Sequence, residues 1–423
     1  MSAFYRDAKN HLTIDGLALD GLMAEFGSPL YVYSGAGLER SFTAFQAAVA
    51  SVSGKVQFAL KANSALGVIA LLARCGAGAD IVSAGELARA LAAGIAAKDV
   101  VFSGVGKNPA DIRTALEAGI GQINAESDQE VAQISDIAAA MGIVAPVALR
   151  VNVDVDAGSH AKISTGQRST KFGISTNQGE AASLYATIDA DPHIKPMGLA
   201  VHIGSQICDL APFEQAYSAL LDVADGLRAS GLDVPCLDLG GGVGVDYKQA
   251  NDVDFSAYGA LVTRLFKGSG FALSFEPGRA IAANNGALLT KVIYVKQGDN
   301  KRFVIVDAAM NDFIRPTLYD AFHSIVTLAP PQNAIGKADI VGPVCETGDF
   351  LGLDREMPAL AAGDKLAVLS AGAYGAVMAS AYNTRPPAGE VLVHDGKAHL
   401  LRPARSLHSL LADETIPVLN ELS

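Results

Sequence analysis

The chain is 423 residues long, half hydrophobic, 18% charged, and carries a formal net charge of -12. That length exceeds one average domain, and the composition fits a compact α/β enzyme with a large core rather than a disordered or fibrous chain. The acidic balance, with no dense Lys/Arg run, argues against nucleic acid or an anionic membrane surface as partner.

The opening stretch MSAFYRDAKNHLTIDG has charges where a secretory signal needs an apolar run. SPLYVYS, at 28–34, reads as a strand belonging to a second domain. Eight short β-rich runs follow: VQFALKA, ADIVS, VVFSG, GQINAE, PVALRVN, GLAVHIG, CLDLGGG and FALSFEP. Helical segments such as GELARALAAG and DIRTALEAG lie between them, which is the alternation of parallel βαβ units. Eight units predict a (β/α)8 TIM-type barrel over residues 36–278. After Gly278 the rhythm changes to strands without long helices: ALLTKVIYVKQ, KRFVIVDA, KADIVGPV, DKLAVLS, GEVLVHDG and KAHLLRP. These predict a C-terminal antiparallel β domain of residues 279–423, joined by the N-terminal strand in 1–35.

Apolar stretches such as ALLARCGAGADIV are broken well short of the roughly 20 residues of a spanning helix, so no membrane span is expected. Cys75, Cys208, Cys236 and Cys345 lie far apart without a CxxC pair. Neither a zinc site nor a disulfide framework is indicated, and a reducing cytoplasm is the simplest home.

Barrel enzymes build their sites at the carboxyl ends of the strands. Here those ends carry Lys61 and Asn63, Asp80 and Ser83, Arg150 and Asn152, His202 and Ser205, Gly240 to Gly242, and Glu276 with Gly278 and Arg279. A lysine ending a buried strand is costly unless its pKa falls or it is paired, as a Schiff-base lysine requires; the alternative is a lysine reaching solvent. DLGGGVG is no dinucleotide fingerprint, because G-x-G-x-x-G from Gly240 needs glycine where Val245 stands. Three glycines after the seventh strand, with Gly278 and Arg279 after the eighth, suit a phosphate, although a glycine triplet alone also reads as a tight turn. His202 lies on an alternating strand, where a structural histidine is the plainer reading, but shares its end with Ser205. Cys345 and Glu346 sit in the loop GPVCETGD with no evident packing role, or simply on the surface. In RPTLYDAFH, Pro316 opens a helix that places Arg315 and Tyr319 four apart, a pair suited to a carboxylate.

FALKAN, HIGSQ, DLGGG, EPGR, RPTLY, CETGD and GAYG, in this order over nearly the whole chain, resemble the fold-type III pyridoxal-phosphate decarboxylases, most closely the branch acting on diaminopimelate. The resemblance implies an alanine-racemase-like barrel plus a β domain, a homodimer with shared active sites, pyridoxal 5'-phosphate as cofactor, and conversion of meso-diaminopimelate to L-lysine and carbon dioxide. It implies that Lys61 carries the cofactor as a Schiff base, His202 stacks on its ring, and Glu276 pairs with the ring nitrogen. Ser205, Gly241, Gly242, Gly278 and Arg279 would hold the phosphate, with Tyr374 closing that side and Asp80 in support. Arg279, Arg315, Tyr319 and Tyr374 would meet the substrate, Glu346 its distal amino group, and Cys345 would donate the proton from the other subunit. Related decarboxylases for ornithine, arginine, lysine or carboxynorspermidine are the alternative; Arg315 together with Glu346 favours diaminopimelate. A non-catalytic homologue would lack the β domain, the lysine or the cysteine. The chain departs from many relatives at RVNVDVDAG, where they carry Asn-Pro, a change in a loop.

Overall fold

The computed structural model describes residues 3–158, 161–163, 165–166, 170–176, 179–248, 254–330 and 332–417. It divides the chain into two units, Gly35–Asn285, and Met1–Ser34 with Gly286–Ser423.

The first unit is a closed barrel. Its strands are β1 (Lys55–Ala59), β2 (Gly78–Ile81), β3 (Val100–Phe102), β4 (Gln122–Ala125), β5 (Ala145–Asn152), β6 (Ile194–Ala200), β7 (Cys236–Asp238) and β8 (Ala272–Phe275). Each runs parallel to the next, and Ser274 and Phe275 pair with Lys55 and Val56 to close the circle. The runs are short because each is bounded by a helix that must return the chain to the opposite rim. Helix starts are written locally: Ser83 Oγ accepts the Glu86 N–H, Asn108 Oδ1 those of Ala110 and Asp111, and Ser127 Oγ that of Glu130. After β8 the helix is only Arg279–Ala282, too short to cover the outer wall. Helix Gly35–Ala48, which precedes β1, packs between Phe255–Phe266 and Leu66–Arg74 and fills that place. The unit therefore runs past residue 278 to Asn285. Behind β7 and β8, Phe45, Phe213, Tyr217, Tyr258 and Phe275 form a buried aromatic cluster with neighbouring ring centroids 5.5–6.5 Å apart.

The second unit is built on Gly286–Gln297, which pairs antiparallel with Leu30–Ser34, Arg302–Val306 and Lys365–Val368. The sheet is antiparallel in most pairings. Two are parallel: Leu30–Ser34 with Gly389–His394, and Arg302–Val306 with Gly336–Val341. The first arises because the strand arrives from the far N-terminus rather than through a hairpin. Its core joins Phe4, Ile14, Leu22, Leu30, Val32, Leu289, Val391 and Val393. Among the described residues, no helix is long and apolar enough to cross a membrane.

Candidate active site

The chain leaves β1 at Ala59 in a tight turn, Ala62 N–H to Ala59 O at 3.0 Å, that lifts Lys61 above the strand end. Its Nζ meets Asp80 Oδ2, on the neighbouring strand β2, in an ion pair. Asp80 is fully buried, and its other oxygen, Oδ1, has no hydrogen-bond partner among the described residues. A carboxylate this buried survives only with a cation against it, so the lysine is paired rather than solvated. The Lys61 side chain stays 31% exposed, facing a cavity of about 390 Å3 at the carboxyl ends of the strands. Ser103, Asn124, Arg150, Phe172, His202, Asp238 and Glu276 also line it.

His202 stands two residues past β6, not on the strand as its alternation predicts, because the pairing of β6 with β7 ends at Ala200 and Asp238. Its Nδ1 accepts the Gly241 N–H at 3.1 Å, leaving Nε2 as the protonated nitrogen of a neutral ring. Burial, then the charges of Arg150 and Lys61, push its pKa well below the usual imidazole value. An uncharged flat ring in the cavity wall is a surface on which another aromatic ring can stack.

Opposite charges are distributed unevenly around this cavity. Arg150 Nη1 is paired with Glu126 Oε1 at 2.7 Å and its guanidinium lies over the Phe172 ring at 4.9 Å. Glu276 Oε1 accepts from Ser103 Oγ at 3.1 Å; Asn124 Nδ2 donates to Ser103 Oγ at 3.0 Å and to Asp238 Oδ2 at 3.2 Å. Ser103 and Asn124 thereby link Glu276 to Asp238. Burial pushes the Glu276 pKa well above the carboxylate range, with the charges of Asp238 and Asp80 adding to it, and burial raises Asp238 as well.

Next to Glu276 the chain forms a cradle of glycines. A Cβ at Gly241 would lie 2.3 Å from the Glu276 carbonyl oxygen, and one at Gly242, where φ is +108°, 2.6 Å from that of Gly204. Glu276 N–H to Gly240 O at 2.8 Å and Ile207 N–H to Gly242 O at 2.9 Å tie the three loops together. Gly278 leaves no room either: its Cβ would meet Ala62 Cβ at 2.9 Å. Buried Arg279 follows, Nη2 donating to Ser205 Oγ at 3.0 Å and Nη1 to the Tyr247 hydroxyl. Bare backbone beside a guanidinium and hydroxyls is the chemistry of a phosphate site, and the donor set fits the phosphate of pyridoxal 5'-phosphate as Lys61, His202 and Glu276 fit its aldehyde and ring.

In the second unit, helix Arg315–Tyr319 does put its ends on one face, with the buried Arg315 guanidinium 5.7 Å from the Tyr319 ring centroid. Arg315 Nε donates to His323 Nε2 at 3.3 Å, and His323 Nδ1 donates to Leu369 O at 3.0 Å, which fixes the tautomer. Cys345 is exposed, its N–H donating to Asn383 Oδ1 at 2.9 Å. Glu346 is hydrogen-bonded by Tyr382, whose hydroxyl pKa rises in consequence. Tyr374 has φ +54°, in the left-handed region.

Two predicted strand-end polar residues serve the backbone. Ser83 caps a helix, and Asn63 Oδ1 accepts the Ala65 N–H at 3.1 Å. Sequence reasoning did not single out Ser103, Asn124, Asp238, Glu126, Phe172 or Tyr247. Asp238 and Tyr247 flank the glycine run, and Ser103, Asn124 and Glu126 end the third and fourth strand runs; Phe172 lies near no motif.

Residues 36–283 match the family described as pyridoxal-dependent decarboxylase, pyridoxal binding domain. The chain is 47% identical over 408 residues to a diaminopimelate decarboxylase of Zymomonas mobilis, covering 95% of this chain and 96% of that one. Its structure is similar to diaminopimelate decarboxylase of Helicobacter pylori complexed with L-lysine (TM-score 0.89, 39% identity, 93% of this chain and 98% of that). It is also similar to diaminopimelate decarboxylase from M. jannaschii in co-complex with L-lysine (TM-score 0.91, 32% identity, 98% of both chains).

Proposed function

Because the chain belongs to the pyridoxal-dependent decarboxylase family, among its diaminopimelate decarboxylases, we propose that it removes one carboxylate of meso-2,6-diaminopimelate to give L-lysine and carbon dioxide, the closing step of lysine biosynthesis. One observation carries the reading: Lys61 faces a cavity also lined by His202 and the buried Glu276, beside a glycine cradle with an arginine.

When bound, pyridoxal 5'-phosphate supplies the electron sink for the pair left behind as carbon dioxide departs. Lys61 would carry it through Nζ and be the group that the substrate's α-amine replaces. Asp80 pairs with the Lys61 ammonium, holding Nζ at the strand end. Ser205, Arg279 and the side-chain-free backbone at Gly241, Gly242 and Gly278 would hold the phosphate, with Tyr374 alongside. His202 would pack against one ring face and Glu276 would pair with the ring nitrogen.

Arg279, Arg315, Tyr319 and Tyr374 meet the substrate carboxylates, and Glu346 its distal ammonium. The support for Arg315 is that His323 holds its guanidinium on the same helix face as Tyr319. Cys345 returns a proton to the α-carbon, a general-acid step worth roughly 10²–10⁴-fold. It acts on the site of a partner subunit, so the active species is a homodimer. The described cysteines are free thiols, which suits a reducing cytoplasm.

The purified protein, loaded with pyridoxal 5'-phosphate, is expected to show the visible absorbance of a lysine-bound cofactor and to form lysine from meso-diaminopimelate. Lys61→Ala should lose both. Consumption of ornithine or arginine in place of diaminopimelate would overturn the substrate assignment, and a colourless wild type would overturn the cofactor assignment.

A further inference from the structure

Cys345 is exposed, yet the backbone on both sides of it is held at three consecutive N–H groups. That of Val344 donates to Asp349 Oδ2 at 2.6 Å, that of Cys345 to Asn383 Oδ1 at 2.9 Å, and that of Glu346 to Val344 O at 2.8 Å. The last bond closes a three-residue turn with Cys345 at its tip. Asp349, 3% exposed, takes the Met310 N–H on its other oxygen at 2.6 Å, and Thr317 Oγ1, on helix Arg315–Tyr319, donates to Gly348 O. The base of the loop is thus fixed to the helix that carries Arg315. At the tip the partner is Asn383, 38 positions further on.

The backbone that presents Asn383 is strained. Asn383 and Thr384 have φ of +55° and +56°, two successive non-glycine residues in the left-handed region, the second β-branched and poorly suited to it. Cys345, Asn383 and Thr384 are all exposed, so water would satisfy the Cys345 N–H just as well with a relaxed chain. Stability therefore gives no reason for the contact. Direction does: fixing the N–H fixes the peptide plane from which the Cα–Cβ bond of Cys345 departs, and a reacting group misplaced by about 1 Å can lose on the order of 10²-fold in rate.

We propose that Asn383 is a positioning residue for the proton return, aiming the Cys345 thiol at the carbon that has lost its carboxylate. This rests on the role given to Cys345 above. In the step, the Cys345 S–H bond breaks and the proton takes the electron pair left at that carbon, forming a C–H bond. The thiolate left on sulfur regains a proton from solvent. A thiol held in one direction delivers to one face of the carbon. With the hold removed, delivery slows and water competes from either face.

The test has two arms. In cofactor-free protein, hydrogen exchange at the Cys345 amide should be slowed about tenfold or more relative to an unstructured peptide, in wild type and in Asn383→Asp, which keeps the acceptor. In Asn383→Gly, which suits the left-handed backbone but has no side chain, that protection should vanish. In protein loaded with cofactor, turnover of meso-diaminopimelate in heavy water should place deuterium on one face of the new C–H carbon in wild type and in Asn383→Asp, and on both faces in Asn383→Gly. The kcat of Asn383→Gly should fall about tenfold with KM within about twofold. A wild-type Cys345 amide that exchanges as fast as an unstructured peptide's overturns the proposal, as does an Asn383→Gly product labelled on one face at wild-type kcat. The first of these needs no variant and decides the matter if Asn383→Gly fails to fold. Failure of wild type to form lysine overturns the functional reading instead, and unchanged turnover in Cys345→Ala overturns the role of Cys345; the exchange arm tests the Asn383 contact in either case.

Discussion

At Gly241 the fold has space for a hydrogen and no more, since a methyl there would press on a backbone carbonyl that cannot move without β8. Gly241→Ala is therefore expected to destabilise the barrel by about 1–3 kcal/mol, the usual cost of overpacking. It should also weaken phosphate binding, because the N–H groups of the cradle must shift. Thermal unfolding and a titration of cofactor absorbance check both, and a variant with wild-type cofactor affinity would remove the cradle from the site. Lys61 teaches the complementary lesson. A strand-end lysine in the sequence is equally compatible with solvent; Asp80, nineteen positions away, makes it a buried-pair lysine facing a cavity.

Among the elements, the turn before helix Arg315–Tyr319 depends on one acid. The Asp312 carboxylate accepts the Ala309 N–H through Oδ2 and the Ala388 N–H through Oδ1, both at 3.1 Å, and its burial raises its pKa to about 6. The folded pKa lies above the unfolded one, so the folded state binds the extra proton. The stability linked to Asp312 is thus full below about pH 4 and is lost as pH rises through about 6, by about 3 kcal/mol at most. Asp312→Asn should lose stability at acid pH, where a backbone hydrogen bond goes, yet show a flatter profile between about pH 4 and 6. Melting temperatures measured across that range test it; an unchanged slope would clear Asp312 of the effect. Helix starts in the barrel are encoded locally, with caps within three residues, Ser127 with Glu130 and Ser83 with Glu86, although the sequence reading took Ser83 for a strand-end site residue. The eighth helix is not, since helix Gly35–Ala48 fills its place from the other end of the barrel sequence.

At the scale of the molecule, a site shared between subunits makes a prediction that no single chain can satisfy. Lys61→Ala and Cys345→Ala, each inactive or slow alone, lie in different units of the chain. Equal amounts mixed and allowed to exchange subunits are expected to recover up to about a quarter of wild-type activity, since half the dimers are mixed and one site in each is intact. Activity staying at the level of the separate variants would place lysine and cysteine in the same subunit's site.

The sequence by itself determined the two-part architecture and most of the chemistry-bearing positions. Strand and helix periods are local properties, and a barrel puts its strand ends on one rim, so Lys61, His202 and Glu276 could be read as rim residues before any coordinates. Tertiary structure alone decided how their charges are held. The Lys61 partner and the neutral tautomer of His202 come from Asp80 and Gly241, which lie far from them along the chain. Protonation in a buried site is set by which donors and charges lie within a few ångströms. That distance is created when the barrel closes, and no spacing along the chain records it.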